Sequence, residues 1–210
     1  RDTNYFGRLG YTSSDNFGIA IEETLTALDA AVKSGKIRHI GVSNETPWGV
    51  QEYLRVSNNK SLARVQSIQN PYGLLNRIYE VGLSEISHRE NIGLLAYSPL
   101  GFGMLTGKYI NSIPKKSRLG LHGEWFTRYN NEKCITATKK YLAVAKKYDL
   151  PLTQLALAFV NTRPFLTSNI IGATTISQLK ENIESIDIDL SDDIINEIND
   201  IHEDIPNPAP

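Results

Sequence analysis

The stretch GLLAYSPLGFGMLTGKY, residues 93–109, decides the fold. Gly93-Leu94-Leu95-Ala96-Tyr97 reads as a short buried strand. It runs directly into Ser98-Pro99-Leu100-Gly101-Phe102-Gly103, a stiff, glycine-punctuated turn that opens on a hydroxyl, with Lys108 soon after. In parallel-sheet architectures, ligands sit where strands end in this way.

The same pattern recurs along the chain. Ile37–Val42 is an apolar run ending in Ser43-Asn44, Val65–Ile68 ends in Gln69-Asn70-Pro71, and Asn169–Ile171 runs into Gly172-Ala173-Thr174. Helical patterns separate these runs. Ile21, Leu25, Leu28 and Val32 recur at helical spacing between Ile19 and Lys33, with Gly35 where a C-terminal cap belongs. Thr46-Pro47 supplies an N-cap and a first-turn proline for a helix to Asn58, and Tyr79–Glu90 reads as another. Further on, helices are expected over Asn131–Tyr148 and Thr153–Asn161. Thr175-Ile176-Ser177-Gln178 has capping-box spacing for a helix to Ser185, and Ser191-Asp192-Asp193 opens the last helix with acid in its first turn. Residues 1–17 and the segment from Ser98 to Tyr129 read as long loops, and 205–210, IPNPAP, as a solvent-exposed tail.

Alternating helices and short buried strands imply parallel strands joined by crossover helices, in an open doubly wound sheet or a barrel. No Gly-x-Gly-x-x-Gly opens a helix after the first strand, which favours the barrel. A complete barrel has eight strands and typically about 250 residues. The fold class expected is therefore α/β, the C-terminal portion of a (β/α)8 TIM barrel with about four strands, and 1–210 reads as a single partial domain. The chain opens on Arg1 without an initiator methionine, which agrees with a truncated sequence.

Composition bounds the partners. A formal net charge of −1 over 210 residues gives no electrostatic case for nucleic acid or an anionic membrane. No apolar run is long enough to span a bilayer as a helix, and the first residues do not have the pattern of a secretory signal. One cysteine, Cys134, permits no internal disulfide and argues against a cysteine-rich metal site, which suits a cytoplasmic location.

Four motifs taken in order, GKIRHIGVSN (35–44), IQNPYGLLNR (68–77), LLAYSPLGFGMLTGKY (94–109) and IIGATTISQLKENI (170–183), resemble the C-terminal half of the aldo-keto reductases. Within that family the likeness is to the bacterial Tas-type reductases and the potassium-channel β-subunit-like branch. The resemblance implies a (β/α)8 barrel that binds NADP(H) across its carboxyl strand ends and reduces aldehydes or ketones to alcohols by hydride transfer. It also implies a small-molecule carbonyl substrate.

Carried over residue by residue, Ser43, Asn44 and Gln69 match the side chains that hold the nicotinamide carboxamide, and such a trio supplies the donors and acceptors an amide needs. Tyr97 matches the aromatic that stacks on the nicotinamide ring. Ser98, Pro99, Leu100 and Gly101 match the loop passing close to the pyrophosphate, with glycine expected to let backbone N–H groups approach the anion. Lys108 and Arg118 match cationic positions at the phosphate and adenosine end. Gly172, Thr174, Gln178, Glu181 and Asn182 match the adenosine-phosphate pocket, beside a helix N-terminus. The residues themselves leave other readings open: a core aromatic for Tyr97, a helix cap for Ser43-Asn44, and solvated surface cations for Lys108 and Arg118. Some relatives carry lysine and arginine where this chain has Thr174 and Gln178, which weakens the preference for NADPH over NADH.

The family's Asp, Tyr, Lys and His tetrad lies on the first four strands, and no catalytic residue is expected in this chain. His39, His88, His122 and His202 match none of the four, and Tyr5 and Tyr11 belong to the loop that follows them. Between Asn111 and Tyr129, Trp125, Phe126 and Tyr129 are candidates to wall a substrate pocket, with packing the equal alternative. The alternative function is a nucleotide-binding regulatory or scaffold subunit with little or no turnover, as the channel β-subunit likeness implies. Oligomeric state is not legible.

Overall fold

The computed structural model describes residues 18–124 and 127–210; Tyr5, Tyr11, the 1–17 loop, Trp125 and Phe126 lie outside the described residues. Four parallel strands form one sheet in the order β1 (Ile40–Ser43), β2 (Val65–Pro71), β3 (Gly93–Tyr97) and β4 (Leu166–Asn169). Sequential order with helical crossovers is the topology of a (β/α)8 barrel, of which this is a part. Contacts divide the chain into two compact units, residues 18–70 with 79–95, and residues 71–78 with 96–210.

In the first unit, α1 (Ile21–Lys33) ends in a Schellman motif. The Lys36 N–H reaches the Ala31 carbonyl and the Gly35 N–H reaches Val32, with Gly35 at φ +73°. Its apolar stripe, Ile21 and Leu25 with Leu28 and Val32, packs on Ile40, Val56 and Val65. α2 (Pro47–Lys60) begins as expected: the Thr46 hydroxyl accepts from Gly49 N–H at 3.1 Å and Pro47 fills the first helical position. The β1–β2 register pairs Val42 with Ile68 and Ser43 with Gln69. A Cβ on Gly41 would stand 2.5 Å from Ser67 Oγ, which can rotate away, and 3.1 Å from the Ser67 carbonyl oxygen, so glycine makes this strand pairing easy. The helix expected over Tyr79–Glu90 is interrupted. A 3-10 turn over Ile78–Glu80 precedes Gly82 at φ +93°, and α3 runs only from Leu83 to Glu90.

In the second unit, the segment expected as loop after β3 contains a 3-10 stretch (Gly101–Thr106), the short helix α4 (Arg118–His122) and a 3-10 turn (Thr127–Tyr129). β4 begins at Leu166, three residues before the strand expected over Asn169–Ile171. Its Leu166–Asn169 stretch is only half-buried, and the Ile170 N–H still reaches the Ala96 carbonyl at 2.8 Å. α5 (Glu132–Lys147) is capped by Asn131, and α8 (Asp192–Asp204) by Ser191. α6 (Leu152–Asn161) buries eight of its residues, all of 155–160 among them, against α5, α7 (Ile176–Glu184), β4 and the 3-10 stretch after β3. A helix apolar all round is one enclosed by its neighbours. α7 keeps an exposed apolar ridge, with Ile176 76% exposed and Ile183 56%.

The 205–210 segment is not a solvated tail. Ala209 is fully buried and its N–H donates to the Leu75 carbonyl at 3.0 Å, while the Arg77 N–H donates to Asn207 Oδ1 at 2.7 Å. Prolines that lack donors of their own still offer carbonyls: Pro208 O accepts from Asn131 Nδ2 at 3.0 Å and from Cys134 Sγ at 3.3 Å.

Candidate functional site

Strand ends in the first unit gather Ser43, Asn44 and Gln69. Ser43 closes β1, and its hydroxyl and the Asn44 N–H both donate to the Gln69 carbonyl, at 3.0 Å each. That pairing turns Asn44 into the left-handed region at φ +53°, a conformation its short polar side chain tolerates. Ser43 and Gln69 are exposed. Beneath them is a residue the sequence reading overlooked. Asn70 is buried and uses both ends of its amide on Glu45, accepting from its N–H at 3.1 Å and donating to its carbonyl at 3.0 Å. The amide thereby locks the loop after β1 onto the end of β2. Its position directly after Gln69 was the available signal.

In the second unit, Tyr97 closes β3 half-buried, with its carbonyl accepting from Tyr72 N–H at 3.2 Å. Burial pushes its phenol up to about 12 against the lowering influence of the Arg128 guanidinium, so the hydroxyl stays protonated at neutral pH. Ser98 and Gly101 both lie at φ +55°, and the Gly101 N–H closes the turn onto the Ser98 carbonyl at 2.9 Å. Gly101 is buried, and Leu75 Cδ1 stands 2.8 Å from where a Cβ would be. Glycine therefore serves the turn and its packing; the expected N–H directed at an anion is already spent within the turn. Ser98 and Phe102 (φ +60°) are non-glycine residues held left-handed, an arrangement that costs energy and tends to gather at functional sites.

Two cations come close to the residues that follow this turn. Arg118, the first residue of α4, places its guanidinium carbon 3.9 Å from the centroid of the Phe102 ring. Lys108 is exposed and folds back beside Gly103, its Nζ 3.5 Å from that residue's Cβ direction. Tyr129 is buried in parallel contact with Phe102, centroids 6.1 Å apart, so it packs rather than walls a pocket.

Beside β4, Gly172, Thr174, Gln178, Glu181 and Asn182 also come together. Asn182 is buried and donates to the Gly172 carbonyl at 3.3 Å. The capping box is half-made: Thr175 Oγ1 accepts from Gln178 N–H at 3.2 Å. The Gln178 side chain, however, reaches Thr174, accepting from its N–H at 2.9 Å and its hydroxyl at 3.0 Å. Glu181 is half-buried, and its carbonyl accepts from Gln154 Nε2 at 3.3 Å.

His39, His88 and His122 are exposed, as surface histidines should be. Among the described residues no three His, Cys, Asp or Glu side chains are placed to hold a metal, and no helix is long and apolar enough to cross a membrane. Burial pushes the Cys134 thiol up to about 11, the state of a packing residue rather than a nucleophile.

Comparison with known proteins agrees with the fold. The model of the aldo/keto reductase family matches residues 2–203. The chain is 48% identical over its whole length to "Protein tas" of Escherichia coli (strain K12), of which it spans 61%. It is 39% identical to an "Aldo-keto reductase" of Babesia bovis, with 90% of the chain and 69% of that protein aligned. To the "NADH-specific methylglyoxal reductase" of Escherichia coli (strain K12) it is 32% identical, over 84% of the chain and 52% of that protein. Parallel strands with polar ends and a family match across nearly all residues make the conclusion direct: this chain belongs to the aldo/keto reductase family of oxidoreductases.

Proposed function

We propose that these residues form the cofactor-binding part of an NADP(H)-dependent oxidoreductase that reduces aldehydes or ketones to alcohols in the cytoplasm. The observation that carries this reading is the pair Lys108 and Arg118 brought beside Phe102 and Gly103, directly after the left-handed turn that follows β3. Two cations beside a strained, rigid turn at a strand end suit a dinucleotide pyrophosphate. Ser43, Asn44 and Gln69 supply the mixed donors and acceptors that a carboxamide requires. Tyr97 supplies a ring face, and the Gly172–Thr174 loop with Gln178, Glu181 and Asn182 takes the adenosine end. When bound, the nicotinamide supplies the hydride; the residues here hold and orient it, and the proton donor belongs to the tetrad that none of them matches.

A fluorescence titration tests the reading. The 210-residue chain should bind NADPH saturably and more tightly than NADH, and Arg118→Ala should weaken binding about tenfold, as loss of one charge-assisted contact does. Failure to bind either nucleotide would refute it. Equal affinity for both would refute the NADP(H) preference alone, a comparison made pointed by the relative named for NADH.

A further inference from the structure

Phe102 occupies a backbone position that suits glycine. It lies at φ +60°, between Gly101 at φ +55° and Gly103 at φ +94°, so three successive residues are left-handed. A third glycine would follow this path without steric cost, whereas the Cβ of phenylalanine crowds the backbone there. What phenylalanine contributes at this position is its side chain.

That side chain is a supported shelf. The Phe102 ring is buried and lies parallel to the buried ring of Tyr129, with centroids 6.1 Å apart and 2° between the planes. Tyr129 is anchored by Arg128, whose Nη2 donates to the Tyr129 hydroxyl at 3.0 Å and whose guanidinium carbon lies 4.7 Å from the ring centroid. On the Phe102 ring rests Arg118, its guanidinium carbon 3.9 Å from the centroid, although Arg118 as a whole is exposed. The main chain that carries Arg118 is fixed as well. Ser117 caps α4, its hydroxyl accepting from Gly120 N–H at 3.2 Å, and the buried Tyr109 hydroxyl accepts from Leu119 N–H at 3.3 Å. Tyr109 Cε2 also stands 3.3 Å from the Cβ direction of Gly103, so one tyrosine ties the residue after Phe102 to the residue after Arg118.

We propose that Phe102 is a positioning residue whose ring seats the Arg118 guanidinium beside the turn before any ligand arrives. This rests on the reading of Arg118 as a contact for the cofactor's phosphates. An exposed arginine is long and rotamer-rich, and ordering it on binding costs affinity. The ring attracts the charge of the guanidinium without consuming an N–H donor, so the fork is held while its hydrogen bonds are kept for a phosphate.

The test uses the 210-residue chain with carbon-13-labelled arginine, observed by NMR without nucleotide. The Arg118 side-chain signals, identified by their loss in Arg118→Ala, should be displaced upfield by the ring. Phe102→Leu, apolar but ringless, should return them to the range of an ordinary exposed arginine, and Phe102→Tyr should keep the displacement. Should the leucine variant fail to fold, Phe102→Gly, suited to the left-handed backbone, decides on the same signals. Arg118 signals undisplaced in the unaltered chain, or unmoved by loss of the ring, overturn the proposal. NADPH titration separates positioning from packing. Phe102→Leu should weaken binding about fivefold, the worth of one cation–ring contact, and Phe102→Tyr should restore it. Combined with Arg118→Ala, it should add nothing to the loss of about tenfold that Arg118→Ala causes alone. A leucine variant with a lowered urea midpoint but unchanged affinity, or a double variant weakened about fiftyfold, the product of the two losses, overturns the proposal. If the unaltered chain binds no NADPH while the Arg118 signals still depend on the ring, the cofactor reading fails and the seating of Arg118 stands.

Discussion

Gly73→Ala isolates the packing beneath the turn after β3. A Cβ at this position would stand 2.8 Å from the Pro99 carbonyl oxygen, 3.2 Å from its Cα and 3.3 Å from its carbonyl carbon. All three are backbone atoms, so no rotamer change relieves the clash, and ordinary contact begins at 3.4 Å. Pro99 must therefore move by about half an ångström, or the 71–78 segment must. Overpacking of this kind costs about 1–3 kcal/mol. Gly172 is the matched control: it belongs to the same proposed cofactor site, yet nothing lies within 4 Å of its Cβ direction. Gly172→Ala should stay within about 0.5 kcal/mol of the parent. Urea unfolding with equal m-values measures both, and NADPH titration asks whether the displaced turn also weakens binding. Equal midpoints for the two variants would refute the reasoning, since they would mean that backbone contact between Gly73 and Pro99 does not constrain the turn.

Asn70→Leu removes both bonds between its amide and the Glu45 main chain at a buried position, for a predicted loss of about 2–4 kcal/mol in chemical unfolding; a loss under about 1 kcal/mol would show that the amide does not hold the loop. Asp29 is held below its ordinary 3.8 by its bond from Lys33, with burial opposing and the Ala63 N–H assisting. A lowered carboxyl stabilises above its unfolded pKa and loses that contribution as pH falls through its folded one, so the parent's melting temperature should fall below pH about 4 more than that of Asp29→Asn. Parallel profiles for the two would exclude Asp29 from the acid transition. With its thiol pushed up to about 11, Cys134 should resist a disulfide reagent at pH 8 until urea unfolds the chain. Rapid labelling of the folded chain would contradict its burial.

Local chemistry was the legible part. Thr46-Pro47, Asn131, Thr175 and Ser191 lie next to the helices they begin, and each structure-defined cap involves a partner three residues away. Strand ends were readable because Ser43-Asn44, Gln69 and Ser98-Pro99 interrupt apolar runs. What escaped depends on partners far along the chain. Pro208 and Ala209 are buried only because Leu75, Asn131 and Cys134 receive them, and nothing in IPNPAP itself encodes that reception. The Asn70 clamp is invisible for the same reason, its partner being on the preceding crossover. β4 was misplaced because Ile170-Ile171 is the more apolar pair, whereas the ladder begins in half-buried residues that show no period-two contrast. Of the proposed cofactor residues, sequence named the positions; it did not show that the Gly101 N–H is consumed by its own turn, nor that Gln178 faces Thr174.

The enclosure of α6 sets the order in which the second unit comes apart. Its 155–160 amides are shielded on every face, so deuterium reaches them only when the surrounding helices part, whereas the exposed flank of α7 needs merely a local fluctuation. Exchange rates should therefore step down sharply from 176–184 to 155–160, and the slowest of them report the free energy of global opening. A protease, meeting the same hierarchy, finds no way to cut at the centre of this unit before the unit has already dissolved.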